Sequence, residues 1–141
     1  MSTLRPENDD LVEIHALCAR YMMLTSQHVE DRWLEVFTED VVYTAFGTPY
    51  GLDRFPALLK AAPRGQFIGN MPVVEIDGDR ASGMQHFIFV ASATHDMRLG
   101  WYNDEYARTT DGWRIRRRST TFMRKSGEFD GGVQHDPLSK D

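Results

Sequence analysis

A chain of 141 residues has the length of one domain, and at that size roughly two-thirds of the unfolded surface is buried on folding, enough for a proper core. The formal net charge of −5 argues against a general nucleic-acid binder, which needs an excess of Lys and Arg to neutralise phosphate. The single cysteine, Cys18, excludes an intramolecular disulfide and fits a reducing compartment; with no charged start leading into an apolar run and no apolar stretch of membrane-spanning length, the expectation is a cytoplasmic protein without membrane contact.

In chain order, Asn8, Asp9 and Asp10 offer helix N-cap chemistry, and Leu11, Ile14, Leu17, Cys18, Tyr21 and Thr25 then recur at helical spacing, which predicts a helix over 9–26. Residues 31–37 read as a second short helix, 41–46 as a strand and 53–62 as a third helix, with Pro56 tolerated in its first turn. From Gly69 onward the period changes from 3.6 to 2, giving strands over 70–76, 80–93, 97–109 and 113–124. Their turns are Asp77-Gly78-Asp79, the segment 93–96, and Thr110-Asp111-Gly112. After Lys125 periodicity stops, so residues 1–125 are expected to form the domain and 126–141 a flexible tail.

Helices first and a meander last make this an α+β chain, with a strongly curved antiparallel sheet wrapped around the N-terminal helices to leave a cone-shaped space. Gln85, Phe87 and Phe89 alternate onto one face of their strand, and Met84, His86 and Ile88 onto the other. Both faces being apolar, one is expected to line the cone and the other to be a subunit interface, which predicts a homodimer or larger assembly. Tyr102, Asp104, Tyr106 and Arg108 share one face of the next strand, and Arg114, Arg116 and Arg118 are expected to share one face of the last. The arginine run 114–118 is read as split across both faces and paired with acidic neighbours, not as a nucleic-acid contact. His15, His95 and His135 show no paired ligand spacing, so no metal site and no cofactor is expected.

The order of elements, together with Ala19-Arg20-Tyr21, the segment Phe37-Thr38-Glu39-Asp40-Val41, the segment from Val73 to Asp79 and Asp111-Gly112-Trp113-Arg114-Ile115, resembles the SnoaL-like branch of the nuclear transport factor 2-like superfamily. The resemblance covers nearly the whole chain to about Arg124. It implies a cone fold shared by ketosteroid isomerase, scytalone dehydratase, bile-acid 7α-dehydratase, lindane dehydrochlorinase, polyketide cyclases and non-catalytic binding proteins, so function has to be argued from the site.

The resemblance places Tyr21 where the isomerase and both dehydratases have a tyrosine that binds a substrate oxygen. It implies an aromatic cavity from Tyr43, Phe87, Phe89 and Tyr102, suited to a hydrophobic, ring-bearing small molecule. Ser26 and Gln66 stand where several eliminating members have an aspartate and a histidine, and Ala45 stands where ketosteroid isomerase has its base, so the usual proton-transfer dyad is replaced by residues that can only contact a substrate. Arg118 matches the dehydrochlorinase arginine, which helps to bind a leaving group or oxyanion; an ion pair with Asp104 or Glu105 is the alternative. Asp104 is the carboxylate expected to be buried, acting as a base if desolvated and only orienting if beside Arg118. His28 either turns into the cone or sits solvated at the helix end. The expectation is therefore a cofactor-independent lyase, dehydratase or isomerase, with a non-catalytic binding module or a polyketide-type cyclase as alternatives.

Overall fold

The structure is a computed structural model and describes residues 6–127, so the expected tail lies almost entirely outside the described residues. Helix α1 (Pro6–Ser26) starts at Pro6, earlier than the Asp9 expected, because a proline costs nothing in a first turn where its missing N–H has no partner to lose. Asp10 and Glu13 then work from inside the helix instead of capping it. The Asp10 carboxylate accepts both Arg108 Nη groups at 2.7 Å and Trp113 Nε1–H at 3.0 Å, and Glu13 accepts the Trp113 backbone N–H at 2.7 Å. The start of α1 is thereby clamped to the turn between the last two strands.

Residues 31–37 do not form the second helix expected. They make one 3₁₀ turn (Trp33–Glu35), after which strand β1 (Phe37–Ala45) begins earlier than position 41. A run of seven residues fits either period, and here Val36 and Phe37 enter the core at 0% and 1% exposure, so burial decides in favour of extended backbone. β2 (Thr48–Tyr50) turns back on β1, and the third helix divides into a 3₁₀ turn (Leu52–Arg54) and α2 (Phe55–Ala61) with Pro56 in its first turn. β3 (Gly65–Gly69) was not expected, and β4 (Val73–Asp77) begins later than position 70. β5 (Arg80–Ala91), β6 (Met97–Thr109) and β7 (Gly112–Met123) form the meander, with β6 at the bounds its alternation indicates.

The seven strands make one sheet in the order β2-β1-β7-β6-β5-β3, with β4 also paired to β5. All pairs are antiparallel except β1 with β7, which run parallel and are separated in sequence by β2, α2 and the strands β3 to β6. β5 is long enough to hold β4 along its first half and β3 along its second, so the sheet curls and closes on α1. Ile14, Leu17, Cys18 and Tyr21 of α1 pack inside the curl with Phe37, Tyr102, Tyr106, Trp113 and Ile115. This is the α+β cone the sequence indicates. No helix among the described residues is long and apolar enough to cross a membrane.

One feature of β7 escapes simple alternation. Glu105 pairs with Arg117 and Tyr106 with Ile115, so Arg116 is left over as a bulge and the phase of the strand flips there. Trp113 and Ile115 face inward before the bulge, Arg118 and Thr120 after it, and Arg114, Arg116 and Arg118 do not share a face. The flip delivers one arginine alone to the interior. Arg116 lies near Asp40 and Glu105, Arg117 near Glu105, and Arg114 donates to the Leu34 and Trp113 carbonyls.

Candidate functional site

Between α1, α2 and the concave face of the sheet lies a cavity of about 500 Å³, within the usual range for a small-molecule site. Its wall is mostly aromatic. Phe87 and Phe89 reach it from β5, Tyr43 from β1, Tyr102 from β6 and Tyr21 from α1. Phe67 and Trp33 were missed. Phe67 alternates inward on the unexpected β3, and Trp33 sits on the 3₁₀ turn, so neither carried a usable period.

At the closed end the phenols converge. Tyr21 packs edge-on against Tyr102 with centroids 5.7 Å apart, and Tyr102 stacks on Phe87 at 4.5 Å. The Thr120 hydroxyl donates to Tyr43 Oη at 2.9 Å, which turns the Tyr43 proton toward Tyr21, its other hydrogen-bond partner. Burial first, and then the adjacent Tyr21, pushes both Tyr43 and Tyr102 well above the ordinary tyrosine value of 10.0. Both are therefore neutral donors at physiological pH. Thr25 Oγ1 and Trp33 Nε1, on residues of the same wall, are buried without a hydrogen-bond partner among the described residues.

Arg118 and Asp104 lie behind this wall, not on it. Arg118 Nε and Nη2 donate to the two Asp104 oxygens at 2.8 and 2.7 Å, and the Tyr106 hydroxyl donates to Asp104 Oδ2 at 2.8 Å. The guanidinium sits in the corner that the near-perpendicular rings of Tyr21 and Tyr102 make, 4.3 and 4.0 Å from their centroids. Burial alone would lower the pKa of Arg118, but attraction to and hydrogen bonding with Asp104 outweigh it and hold the pKa well above the ordinary 12.5. Neither residue lines the cavity. The base role expected for Asp104 and the direct oxyanion role expected for Arg118 are thus corrected by depth: two phenol rings stand between the pair and any ligand. Of its nitrogens, Arg118 Nη1 is without a hydrogen-bond partner among the described residues.

Three further expectations are corrected. Gln66 sits on β3 with the parity of Ile68, exposed on the outer face, while Phe67 takes the inward position. Ser26 is half-buried and its Oγ accepts the Phe67 backbone N–H at 2.9 Å, so it ties the end of α1 to β3 and does not line the cavity. His28 follows the helix in a left-handed conformation, φ 58°, that ends α1, and it does not line the cavity. Among the described residues that line the cavity there is no carboxylate and no imidazole. Among the described residues Arg98 is the one lining side chain with a full charge, and nothing in the sequence singled it out.

A family model described as the SnoaL-like domain matches residues 6–119. An uncharacterized protein of Mycobacterium tuberculosis strain H37Rv is 34% identical over 132 residues, covering 82% of this chain and 86% of its own. Among solved structures, a protein from Novosphingobium aromaticivorans described as NTF2-like with a cystatin-like fold superposes with a TM-score of 0.75 at 21% identity, over 92% of each chain. A putative scytalone dehydratase from the same organism superposes with a TM-score of 0.72 at 15% identity, over 96% of this chain and 97% of that one. At such identities the two structures establish the fold.

Proposed function

The chain belongs to the SnoaL-like family, and on that premise we propose that its cavity binds a largely apolar, ring-bearing small molecule by one oxygen, on which the protein acts as a cofactor-independent lyase or isomerase through hydrogen-bond donation. The observation that carries this reading is the convergence of Tyr21, Tyr43 and Tyr102 at the closed end of an otherwise aromatic cavity. Neutral phenols held in a dry pocket stabilise negative charge developing on a carbonyl or leaving oxygen far better than water does. The buried Arg118 beneath two of them fixes the rings and adds positive potential at that end.

In this reading Tyr21 contacts the substrate oxygen, Tyr43 donates with Thr120 orienting its hydroxyl, and the Asp104–Arg118 pair positions the rings. With no carboxylate or imidazole on the wall among the described residues, the reading sends the proton that leaves carbon to solvent or to another group of the substrate, which favours substrates with an already acidic C–H or a good leaving group. That same absence favours a second reading, a binding module that retains the cavity without turnover.

Thermal-shift screening against steroids, polyketide-like phenols, lignin-type aromatics and terpenoids, with each hit incubated and followed by mass spectrometry, separates the two. A hit whose mass falls by a small leaving group, or whose retention shifts at constant mass, supports the catalytic reading. Stabilisation without chemical change supports the binding module. Failure of every ring-bearing class to stabilise the protein overturns both.

A further inference from the structure

Arg98 sits at the open end of the cavity, and its surroundings define what enters. Along β6 the inward positions run Arg98, Gly100, Tyr102 and Asp104, so Arg98 lies four residues from Tyr102, about 13 Å at the rise of a strand. Between them Gly100 has no side chain, and a Cβ there would come within 2.9 Å of the Phe87 ring, which fills the place. The strand therefore presents a cation at the mouth, a flat aromatic floor and a phenol at the closed end. In register with Arg98 on β5 stands Phe89, another lining ring.

Among the described residues the cation has no carboxylate partner. Ion pairs among the described residues occupy Arg32, Arg108, Arg116, Arg117 and Arg118, and none involves Arg98. Asp96, two residues earlier, makes no ion pair with it either. Around the mouth, Lys60 and Arg64 flank the lining segment of Ala61, Ala62 and Pro63, and the Arg54 guanidinium lies 5.1 Å over the ring of Tyr50, itself a lining residue. In a chain of net charge −5, the described residues next in sequence to these lining positions are mostly basic, Arg54, Lys60 and Arg64 against Asp53 and Asp96. A cluster of one sign beside an apolar opening attracts ligands of the other sign.

We propose that Arg98 is a specificity residue that pairs with an anionic group on the ligand, so that the compounds this cavity takes are aromatic or polycyclic organic anions, carrying a carboxylate or sulfonate at the mouth and an oxygen at the Tyr21 end. The inference rests on the proposed function for the cavity, and adds to it the charge and polarity of the ligand. It also gives the ligand a direction, anion outward and oxygen inward.

Two dyes of one ring skeleton test it: 8-anilinonaphthalene-1-sulfonate and its neutral counterpart N-phenyl-1-naphthylamine, titrated by fluorescence into wild type, Arg98→Gln and Arg98→Lys. Because Arg98 is exposed, neither substitution threatens the fold. Arg98→Gln is expected to weaken the sulfonate roughly three- to thirtyfold while leaving the neutral dye within about twofold, with Arg98→Lys retaining most of the affinity and added salt reproducing the loss in wild type only. Equal weakening of both dyes by Arg98→Gln, or no change in the sulfonate, overturns the inference. Ala45→Trp, which fills the cavity from β1, should abolish binding of both dyes; sulfonate binding that survives it lies elsewhere and also overturns the inference. Binding of neither dye by wild type would instead remove the cavity reading beneath it.

Discussion

Asp104 and Arg118 stand directly opposite each other on β6 and β7 and close a two-point ion pair in which both side chains are at 0% exposure. A buried pair of this kind contributes little net stability, because its Coulomb gain offsets desolvation, but breaking it strands a charge in the interior. Asp104→Asn should therefore cost about 3–5 kcal/mol, a fall in melting temperature of roughly 10–20 °C. The double variant Asp104→Leu, Arg118→Met should be more stable than either single change. A double variant as unstable as Asp104→Asn would show that the pair carries stability of its own.

Tyr21→Phe removes a hydroxyl and keeps a ring, so the stacking over Arg118 at 4.3 Å and the edge contact with Tyr102 survive. Its melting temperature should stay within a few degrees of wild type, while turnover falls by one to three orders of magnitude, about 1.4–4 kcal/mol of transition-state stabilisation. For a pure binding module the same change should weaken the ligand only by a hydrogen bond's worth, about tenfold. Unchanged kinetics would take Tyr21 out of the site.

How far the sequence reached follows from what a period can encode. Alternation over the thirteen residues of β6 determined its bounds and put Tyr102, Asp104 and Tyr106 on one face. It could not say how deep along that face each lies, which is why Asp104 was read as a site carboxylate although phenol rings cover its ion pair. β3 has only five residues with a glycine at each end, too few to show alternation, and missing it put Gln66 in the site and left Phe67 out. The bulge at Arg116 is a pairing event between two strands, so no single-strand pattern marks it. The inward position of Tyr21 was legible from the helical period of α1; that of Arg98 was not, because an arginine near a strand end has no signature until the cavity is closed around it.

The clamp between Asp10, Arg108 and Trp113 makes a prediction about pH. Hydrogen bonds from Arg108, and then from Trp113, lower the pKa of Asp10 below its ordinary 3.8. A carboxylate whose folded pKa is depressed contributes stability that is whole above the unfolded value and is lost as the pH falls from there through the folded one. The melting temperature of wild type should thus drop more steeply than that of Asp10→Asn between about pH 5 and pH 3, the two curves converging at the acid end. With Arg108 40% exposed the ion pair is partly screened, and the substitution at neutral pH should cost only about 1 kcal/mol. Parallel curves would show that the clamp does not titrate.

The outer face of the sheet makes the last prediction, and a second copy of the chain is the occupant we propose for it. Ile68, Ile88, Leu99 and Met123 pair in register from β3 through β5 and β6 to β7, each 39–56% exposed, and form one apolar row across four strands. Met97, 63% exposed and paired with Val90, adds a second row beside it. Toward the other end the face turns charged at Glu105 and Arg117, which lie in register and form an ion pair. Isolated exposed apolar residues are ordinary, whereas a contiguous row of this kind marks an interface, and a face apolar at one end and charged at the other suits a two-fold partner that matches each row with its own copy. Ile88→Lys places a cation in the middle of the row without touching the core. Light scattering should show wild type at twice the chain mass and Ile88→Lys at the single mass with an unchanged melting profile of the monomer fold, whereas a wild type that runs as a monomer at tens of micromolar, an affinity far weaker than interfaces of this apolar character reach, would leave the face without a partner copy.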